Sequence, residues 1–256
     1  MALRFIEQAC SKHGVQLTVL SDGWVLELRK DGRLRRVVGS NFDLNDQAAS
    51  ALARDKVAMA AVLNARGIKH VPHRLLKARD DVEIDGLLLD EMLAQGAVVL
   101  KPLEGSSGDL ITKADDAHSA IRFVKQSGVS SWAVSPFVDI EQEIRLVMHE
   151  AAAWLTYAKT DPVLRRGVRL FNLSKGAKAL PLTHVDEALL NLATDAMTAA
   201  GLRLGAVDIV RTSDDSVAVL EINAGFSLTR YAQTNEATFE QVASFYDRIV
   251  ADMFGV

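Results

Sequence analysis

The sequence predicts a mixed α/β (α+β) protein, folded either as one elaborate domain or as two to three small lobes. Runs of β-branched residues alternate along the chain with segments whose apolar residues recur at helical spacing. Hydrophobic residues make up 49% of the 256-residue chain, which is enough to bury a large core. Towards the C-terminal end, two β-rich runs at 207–210 and 217–222 flank a polar turn and predict a hairpin.

Bulk composition excludes several classes of protein. The formal net charge of −4 provides no general basic surface for a nucleic-acid partner, and no apolar run reaches the roughly 18–20 residues that span a bilayer. The first residues lack a continuous apolar segment, so we expect neither a secretory signal nor a membrane partner. Cys10 is the only cysteine, which excludes an internal disulfide and favours a cytoplasmic protein.

The elements follow in chain order, beginning with a small N-terminal α/β cap. Residues 3–13 predict an amphipathic helix, and three strands follow at 15–20, at 24–28 and up to residue 38. The remaining predictions are a helix capped by Asn45 or Asp46 and ending at Arg66, an extended segment from 68, a partly helical segment at 81–95, a strand at 98–101, a helix capped by Asp115 or Asp116 and ending near 126, strands at 132–138, 143–148 and 153–159, a basic loop at 161–178, and helices at 185–200 and 239–254.

The hairpin carries the first set of residues that indicates chemistry. A two-residue loop at 214–215 places Asp208 opposite Glu221, and alternation puts Asn223 on the same face. The other face is then apolar, with Ile209 opposite Leu220, and holds Val207, Ile209, Leu220 and Ile222. Two facing carboxylates repel each other unless a cation lies between them, and three oxygen side chains suit Mg²⁺. The alternative is an exposed polar face on an edge hairpin.

A second set follows the strand at 98–101. Lys101 ends this strand, and the next loop contains Gly105, Ser106, Ser107 and Gly108. Glycines allow backbone N–H groups to converge on an anion, and the serines add hydroxyl donors. The lysine precedes the glycines, unlike in a GxxxxGK[ST] phosphate loop, and an ordinary surface turn is the alternative.

Other polar residues gain meaning only from their order. The chain resembles the ATP-grasp superfamily, and within it the RimK-like ligases and the ATP-grasp domains of glutathione synthetases and cyanophycin synthetases. The resemblance covers residues 45–230 and rests on the ordered set Lys56, Lys101-Pro102 with its Gly-Ser-Ser-Gly loop, Glu143-x-Arg145, Lys159, an Asn172-x-Ser-x-Gly loop, and Asp208 with Glu221-x-Asn223.

The resemblance implies an ATP-grasp fold, in which two α+β lobes grip ATP next to a short N-terminal cap. The cap then comprises residues 1–45, the N-terminal lobe 46–134 with a mobile lid from about 70, and the C-terminal lobe 135–256. Two departures concern the site: Ser135-Pro136 stands where relatives often carry a hinge glutamate, and Ala224-Gly225 replaces the usual proline-glycine after the metal asparagine.

The resemblance also implies a role for each site residue. Nucleotide contacts fall to Lys56 and Lys101 at the phosphates, Gly105, Ser106, Ser107 and Gly108 in the closing loop, Ser135, Phe137 and Val138 at the adenine edge, and Glu141 or Glu143 at the ribose. The residues facing the γ-phosphate and the acyl phosphate are Arg145, Lys159 and Asn172. Two Mg²⁺ ions, with Mn²⁺ as an alternative, are held by Asp208, Glu221 and Asn223.

The resemblance implies an ATP-dependent carboxylate–amine ligase, which forms an acyl phosphate and transfers the acyl group to an amine. The loop at 160–178 is rich in arginine and lysine, and Arg230 follows the metal hairpin, so we expect an anionic amino-acid or peptide substrate. The cap is short for this superfamily, and either a homodimer partner or a carrier-bound substrate would complete the acceptor site beside it. The alternatives are an ATP-grasp kinase and a non-catalytic nucleotide-binding module, and the full set of charged residues argues against the latter.

Overall fold

The structure is a computed structural model that describes residues 2–78, 86–103 and 110–256. The N-terminal cap consists of α1 (Ala2–His13) and an antiparallel meander of β1 (Gln16–Leu20), β2 (Val25–Lys30), β3 (Arg33–Val38) and β4 (Asn41–Phe42). This confirms the predicted helix and three strands, to which β4 is added. No helix within the described ranges is long and apolar enough to cross a membrane.

The prediction of a single helix up to Arg66 is wrong, because the helix is interrupted at Asp55. Two helices occupy this stretch, α2 (Gln47–Arg54) and α3 (Lys56–Ala65). Asp55 is extended, with φ −87° and ψ 101°, and its carboxylate accepts the first N–H groups of α3. Lys56 is therefore the first residue of a helix rather than a mid-helix residue.

The N-terminal lobe is a four-stranded antiparallel sheet backed by two helices. Its strands are β5 (Arg74–Lys77), β8 (Ser131–Pro136), β6 (Val98–Pro102) and β7 (Thr112–Ala114), in that spatial order. Its helices are α4 (Gly86–Leu93) and α5 (Ala117–Ser127), and Asp116 caps α5 as predicted. A core of its own, which includes Leu76, Leu100 and Trp132, joins these elements. The predicted strand at 132–138 ends two residues early, at Pro136.

The C-terminal lobe is built on a five-stranded antiparallel sheet. The strands are β9 (Ile140–His149), β10 (Ala152–Thr160), β13 (Lys178–Pro181), β14 (Leu204–Thr212) and β15 (Val217–Asn223), in the order β13-β10-β9-β14-β15. One face packs against α1, α7 (Thr229–Ala232) and α8 (Glu236–Phe254), and the other against α2, α3 and α6 (Glu187–Ala200). Thus α2 and α3, assigned to the N-terminal lobe by the division at residue 46, pack on the C-terminal sheet.

The prediction of a loop over 161–178 is wrong in part, because this segment contains a short β-hairpin. Strands β11 (Val163–Arg165) and β12 (Val168–Leu170) pair through a turn in which Arg166 and Gly167 have φ of 46° and 74°. Two positive φ values are typical of a tight hairpin turn. The carbonyl of Arg166 accepts the N–H of Lys113 at 3.0 Å, so this hairpin reaches from the C-terminal lobe to the N-terminal lobe.

The β14–β15 register confirms the most important predicted pair and corrects another. Asp208 lies opposite Glu221, but Ile209 lies opposite Val219 rather than Leu220. Residue Leu220 is the extra residue of a β-bulge, so it leaves the buried apolar face to which alternation assigned it. The predicted two-residue turn is also wrong, because β14 ends at Thr212 and β15 begins only at Val217. The longer turn and the bulge compensate for each other, which keeps the carboxylates in register.

Candidate active site

Four polar side chains form a row across the C-terminal sheet. The register places Glu221 opposite Asp208, Asp208 opposite Arg145, and Arg145 opposite Tyr157, on β15, β14, β9 and β10 respectively. Directly opposed residues point to the same face of a sheet, so the four side chains are neighbours. Lys159, two residues beyond Tyr157 on β10, shares that face. The pairing of β9 with both neighbours could not be derived from local sequence, which is why the prediction missed Tyr157.

Asp208 is the centre of this row and is fully buried. Arg145 donates to both of its oxygens, from Nε to Oδ1 at 2.7 Å and from Nη2 to Oδ2 at 2.5 Å. The ammonium of Lys159 donates to Oδ1 at 2.9 Å and also contacts the Glu143 carboxylate. Two cations thus share one buried carboxylate, and both of its oxygens are already bound.

These contacts set the charge of the network. Burial disfavours ionised Asp208, but Arg145 and Lys159 outweigh burial and hold the pKa of Asp208 below its usual range. Burial likewise opposes the charges of Arg145 and Lys159, yet the Asp208 carboxylate raises the pKa of both, so both remain protonated. Burial raises the pKa of Glu143. Two groups therefore stay positively charged on the face of the sheet that carries the row.

The predicted metal ligands are brought together at the outer end of the row. The Asn223 amide donates to Asp208 Oδ2 and to Glu221 Oε1, at 3.3 Å each. Two carboxylates and a carboxamide offer the hard oxygen donors that Mg²⁺ prefers, so the donor set fits the predicted ion. Ligation through the Asn223 oxygen requires its amide group to turn over, because the nitrogen faces the carboxylates here.

A cleft of about 240 Å³ lies between the lobes, beside this network. The predicted adenine-edge residues Ser135, Phe137 and Val138 line it, together with Lys101 and the bulged Leu220. The β11–β12 hairpin forms another part of the wall through Leu164, Gly167, Val168 and Arg169. The bulge thus supplies an apolar surface that alternation could not predict.

The two candidate ribose carboxylates differ in position. Glu143 is buried within the ion network, whereas Glu141 is exposed. The geometry therefore brings only Glu143 of this pair to the other site residues.

A second, smaller cavity adjoins the cleft and holds the other predicted lysine. Lys56, His70, His73 and Glu221 are among the residues that line it. Burial lowers the pKa of Lys101, and the carboxylates of Glu221 and Glu143 oppose this effect. The charges of Lys101 and Lys56 both lower the pKa of His73, so the two lysines lie near the same histidine.

Some predicted residues lie outside the ion network. The Asn172 side-chain oxygen accepts hydrogen bonds from Ser174, and Arg230 is exposed and donates to Gln233. Arg169 of the basic loop donates to the Ile140 carbonyl and lies 3.4 Å from the Asp139 carboxylate, beside the cleft. The predicted closing loop, Gly105, Ser106, Ser107 and Gly108, lies outside the described residues.

Comparison with known proteins places this geometry in context. A family model described as a RimK-like ATP-grasp domain matches residues 53–242. The D-cycloserine synthetase DcsG is 22% identical with a TM-score of 0.59, over 77% of this chain and 71% of that chain. The D-alanine–D-alanine ligase from Bacillus anthracis is 14% identical with a TM-score of 0.58, over 82% and 72%.

A peptide-bound relative is also similar in structure. The ATP-grasp ligase PsnB, complexed with its minimal precursor, is 17% identical with a TM-score of 0.56. The match covers 77% of this chain and 64% of PsnB, so this chain spans less than two thirds of that protein. At these identities, likeness to solved structures establishes the fold alone. A comparison with curated protein sequences found no match.

Proposed function

The chain belongs to the RimK-like ATP-grasp family of ATP-dependent ligases, and on this premise we propose that it joins a carboxylic acid to an amine through an acyl phosphate. The observation that carries this proposal is the row Glu221, Asp208 and Arg145, with Lys159 beside it. Glu221 lines the smaller cavity that adjoins the interlobe cleft. The row places the proposed metal ligands next to two groups that stay positively charged. Phosphoryl transfer requires both kinds of group.

The proposed nucleotide site occupies the cleft. The backbone around Ser135, Phe137 and Val138 meets the adenine edge, and Leu220 packs against the ring. Of the two candidate ribose carboxylates, Glu143 is the one that lies among the other site residues. Lys101 and Lys56 contact the phosphates, which compensate their positive charges. The loop of Gly105, Ser106, Ser107 and Gly108 closes over the phosphates in this proposal.

The charged residues of the row account for the chemistry. A carboxylate oxygen of the acid attacks the γ-phosphorus of ATP, ADP leaves, and an acyl phosphate results. Arg145 and Lys159 bind the transferred phosphoryl oxygens and stabilise the charge that develops on them. A divalent cation held by Asp208, Glu221 and Asn223 would neutralise the phosphate oxygens. The amine then attacks the acyl carbon and releases phosphate, which yields the amide.

For the substrate, we propose an amino acid or a peptide as the acid. The relatives named above are a D-cycloserine synthetase, a D-alanine–D-alanine ligase and a ligase complexed with a precursor peptide. Exposed Arg230 is a suitable partner for a second, distant carboxylate of the substrate, because it lies outside the ion network. Asn172 is proposed to contribute once the nucleotide is bound.

The test measures ADP and free phosphate in parallel, with Mg-ATP and a pool of amino acids, dipeptides and small carboxylates. Equal ADP and phosphate that require both an acid and an amine support the ligase. ADP without free phosphate would instead indicate a kinase. Binding of ATP without turnover on any pool, including peptides, would contradict the proposal and favour a regulatory module.

Glu221→Gln tests the proposed metal site. Among the described residues, the Glu221 carboxylate accepts a hydrogen bond only from the Asn223 amide, so removing its charge leaves the buried ion pairs of Asp208 intact. We expect a folded protein whose ATP turnover falls at least about a hundredfold. Glu240→Gln on the exposed face of α8 is the matched control and should retain activity. Normal turnover in folded Glu221→Gln would remove Glu221 from the site.

A further inference from the structure

Asp208, the central residue of the proposed metal site, already has protein partners for both carboxylate oxygens. Both oxygens of Asp208 accept hydrogen bonds from Arg145, at 2.7 and 2.5 Å, and Oδ1 also accepts from Lys159 at 2.9 Å. The Asn223 nitrogen faces Oδ2 at 3.3 Å. Asp208 is fully buried, so no other side of the carboxylate is open to solvent.

This arrangement is incompatible with metal ligation by Asp208 as long as both cations stay in place. A divalent cation at bonding distance from either oxygen would lie beside a guanidinium or an ammonium group, and like charges repel strongly where water is excluded. The cations must therefore move before Asp208 can become a metal ligand.

The two cations differ in where they can go. Lys159 already contacts a second carboxylate, that of Glu143. Arg145 forms its described ion pair with Asp208 alone. A largely buried guanidinium without an acceptor is costly, so we expect Arg145 to leave Asp208 only towards another anion. On the proposed function, the oxygens of the nucleotide phosphates are that anion.

We infer that Arg145 and Lys159 form a lock on the metal site, which the nucleotide opens by drawing both cations from Asp208 to its phosphate oxygens. The inference rests on the proposed function, because it takes Asp208 as the metal ligand and the adjoining cleft as the nucleotide site. Metal binding thus depends on the nucleotide, and the coupling is reciprocal: bound metal also strengthens the grip of Arg145 and Lys159 on phosphate. The lock keeps the site from binding a divalent cation unproductively in the absence of nucleotide.

The test is Mn²⁺ binding to the nucleotide-free protein, followed by electron paramagnetic resonance of free Mn²⁺. Wild-type protein should bind Mn²⁺ weakly. Lys159→Met removes one cation of the lock and also frees the Glu143 carboxylate, which lies two residues from Arg145 on the same face of β9. Arg145 then has another anion to pair with when it leaves Asp208. We therefore expect Lys159→Met to bind Mn²⁺ at least about tenfold more tightly than wild type, although the variant has lost a residue of the active site.

Lys101→Met is the matched control, because Lys101 lines the cleft and interacts electrostatically with Asp208 but forms no described hydrogen bond or ion pair with it. It removes the same charge without opening the lock, so its gain in Mn²⁺ affinity should be far smaller. Circular dichroism verifies that each variant folds. If Lys159→Met does not fold, the wild-type titrations without nucleotide and with Mg-free AMP-PNP, corrected for Mn²⁺ bound by AMP-PNP in solution, carry the test.

The outcomes separate the lock from the proposed function. Tight Mn²⁺ binding by nucleotide-free wild type, or no gain in folded Lys159→Met over wild type and Lys101→Met, would overturn the lock and leave the ligase proposal standing. A gain that survives in the double variant Lys159→Met/Asp208→Asn would place the metal elsewhere, which contradicts the proposed ligand set itself. A gain that is lost in the double variant supports both.

Discussion

Two buried polar atoms have no hydrogen-bond partner among the described residues, the Tyr157 hydroxyl and His73 Nε2. Both lie near the candidate active site: Tyr157 stands opposite Arg145 in the row, and His73 lines the cavity that contains Lys56. A buried polar atom without a partner costs stability, so such atoms in a folded protein call for an explanation. Each can be tested by removing it.

Tyr157→Phe removes the hydroxyl while keeping the aromatic ring, which stacks on Tyr231 with centroids 4.6 Å apart. Because the hydroxyl is buried and unpaired, we expect the free energy of unfolding to rise by about 1 kcal/mol. Urea denaturation measures it. Tyr231→Phe is the control, since the Tyr231 hydroxyl donates to Gln241 at 2.7 Å and its loss should destabilise. A loss of stability in Tyr157→Phe would mean that its hydroxyl has a partner.

His73 should make stability depend on pH. Burial and the charge of Lys101 lower the pKa of His73 to about 3, whereas an unfolded histidine titrates near ~6.5. Between these two pKa values, the unfolded chain therefore binds one more proton at this histidine than the folded chain does. The free energy of unfolding should fall as the pH drops from about 6.5 towards 3, by up to ~1.4 kcal/mol per pH unit from this residue.

The variant His73→Gln should flatten that slope, because glutamine does not titrate. Denaturation curves recorded from about pH 4 to about pH 7 measure the slope, since a free histidine titrates within this range, near ~6.5. The control is His70→Gln. His70 makes the same contact as His73, from Nδ1 to the carbonyl two residues earlier, but is only partly buried. An unchanged slope in His73→Gln would show that this histidine is not held neutral by the fold.

At the scale of elements, the start of α3 links local folding to the site. Asp55 accepts the N–H groups of Val57 and Ala58 at 2.9 Å each, and this cap fixes Lys56 at the first helical position. Asp55→Ala should cost about 1 kcal/mol of stability. It should also weaken Mg-ATP binding in calorimetry, because Lys56 loses its fixed position beside the cleft.

The cap of the preceding helix provides the control for that prediction. Asp46 accepts the N–H groups of Ala48 and Ala49 at the start of α2, which begins away from Lys56. Asp46→Ala should lose similar stability but bind Mg-ATP like wild type. Equal nucleotide affinity of the two variants would show that the Asp55 cap does not position Lys56.

Local sequence patterns suffice for the long helices but not for the shortest strands. Periodicity predicted α1, α5, α6 and α8, because each helix buries one stripe. The start of α8 was predicted at residue 239, but the helix begins at Glu236, after its cap Asn235. The β11–β12 hairpin was missed because its two strands are only three residues long and carry arginines. So short a pair depends on contacts with the N-terminal lobe rather than on propensity.

The candidate site shows the same division. Asp208, Glu221 and Asn223 could be placed on one face from alternation, which acts within a strand pair. The contact of Asp208 with Arg145 depends on β9 pairing with β14, two strands separated by more than fifty residues. The bulge at Leu220 likewise follows from how β15 fits its neighbours, including the segment at Lys69–Val71 that bonds to Val219. Tertiary pairing of this kind has no local signal.

At the scale of the whole molecule, the cap and the C-terminal lobe share one core. Phe5 and Leu28 of the cap pack in the same cluster as Val147 of the sheet and Ile249 of α8. The N-terminal lobe has a separate cluster around Leu76 and Trp132. The chain should therefore unfold as two cooperative units, with the cap belonging to the C-terminal one.

Phe5→Ala tests this division, since truncating a buried phenylalanine costs about 3–5 kcal/mol in the unit that contains it. In single-tryptophan variants, Trp154 packs against the shared core and reports the C-terminal unit, and Trp132 reports the N-terminal lobe. Phe5→Ala should lower the urea midpoint seen by Trp154 and leave that of Trp132 nearly unchanged. The reciprocal variant, Leu76→Ala, should do the opposite.

Equal shifts at both probes would show that the lobes unfold together. Two independent transitions would instead agree with a cleft that closes around its ligand, because lobes with separate cores can move as bodies. Mg-ATP contacts both lobes in the proposed function, so it should raise both midpoints and bring them closer together. A nucleotide that stabilises only the unit reported by Trp154 would contradict the assignment of Lys101, which lies in the N-terminal lobe, to the phosphate site.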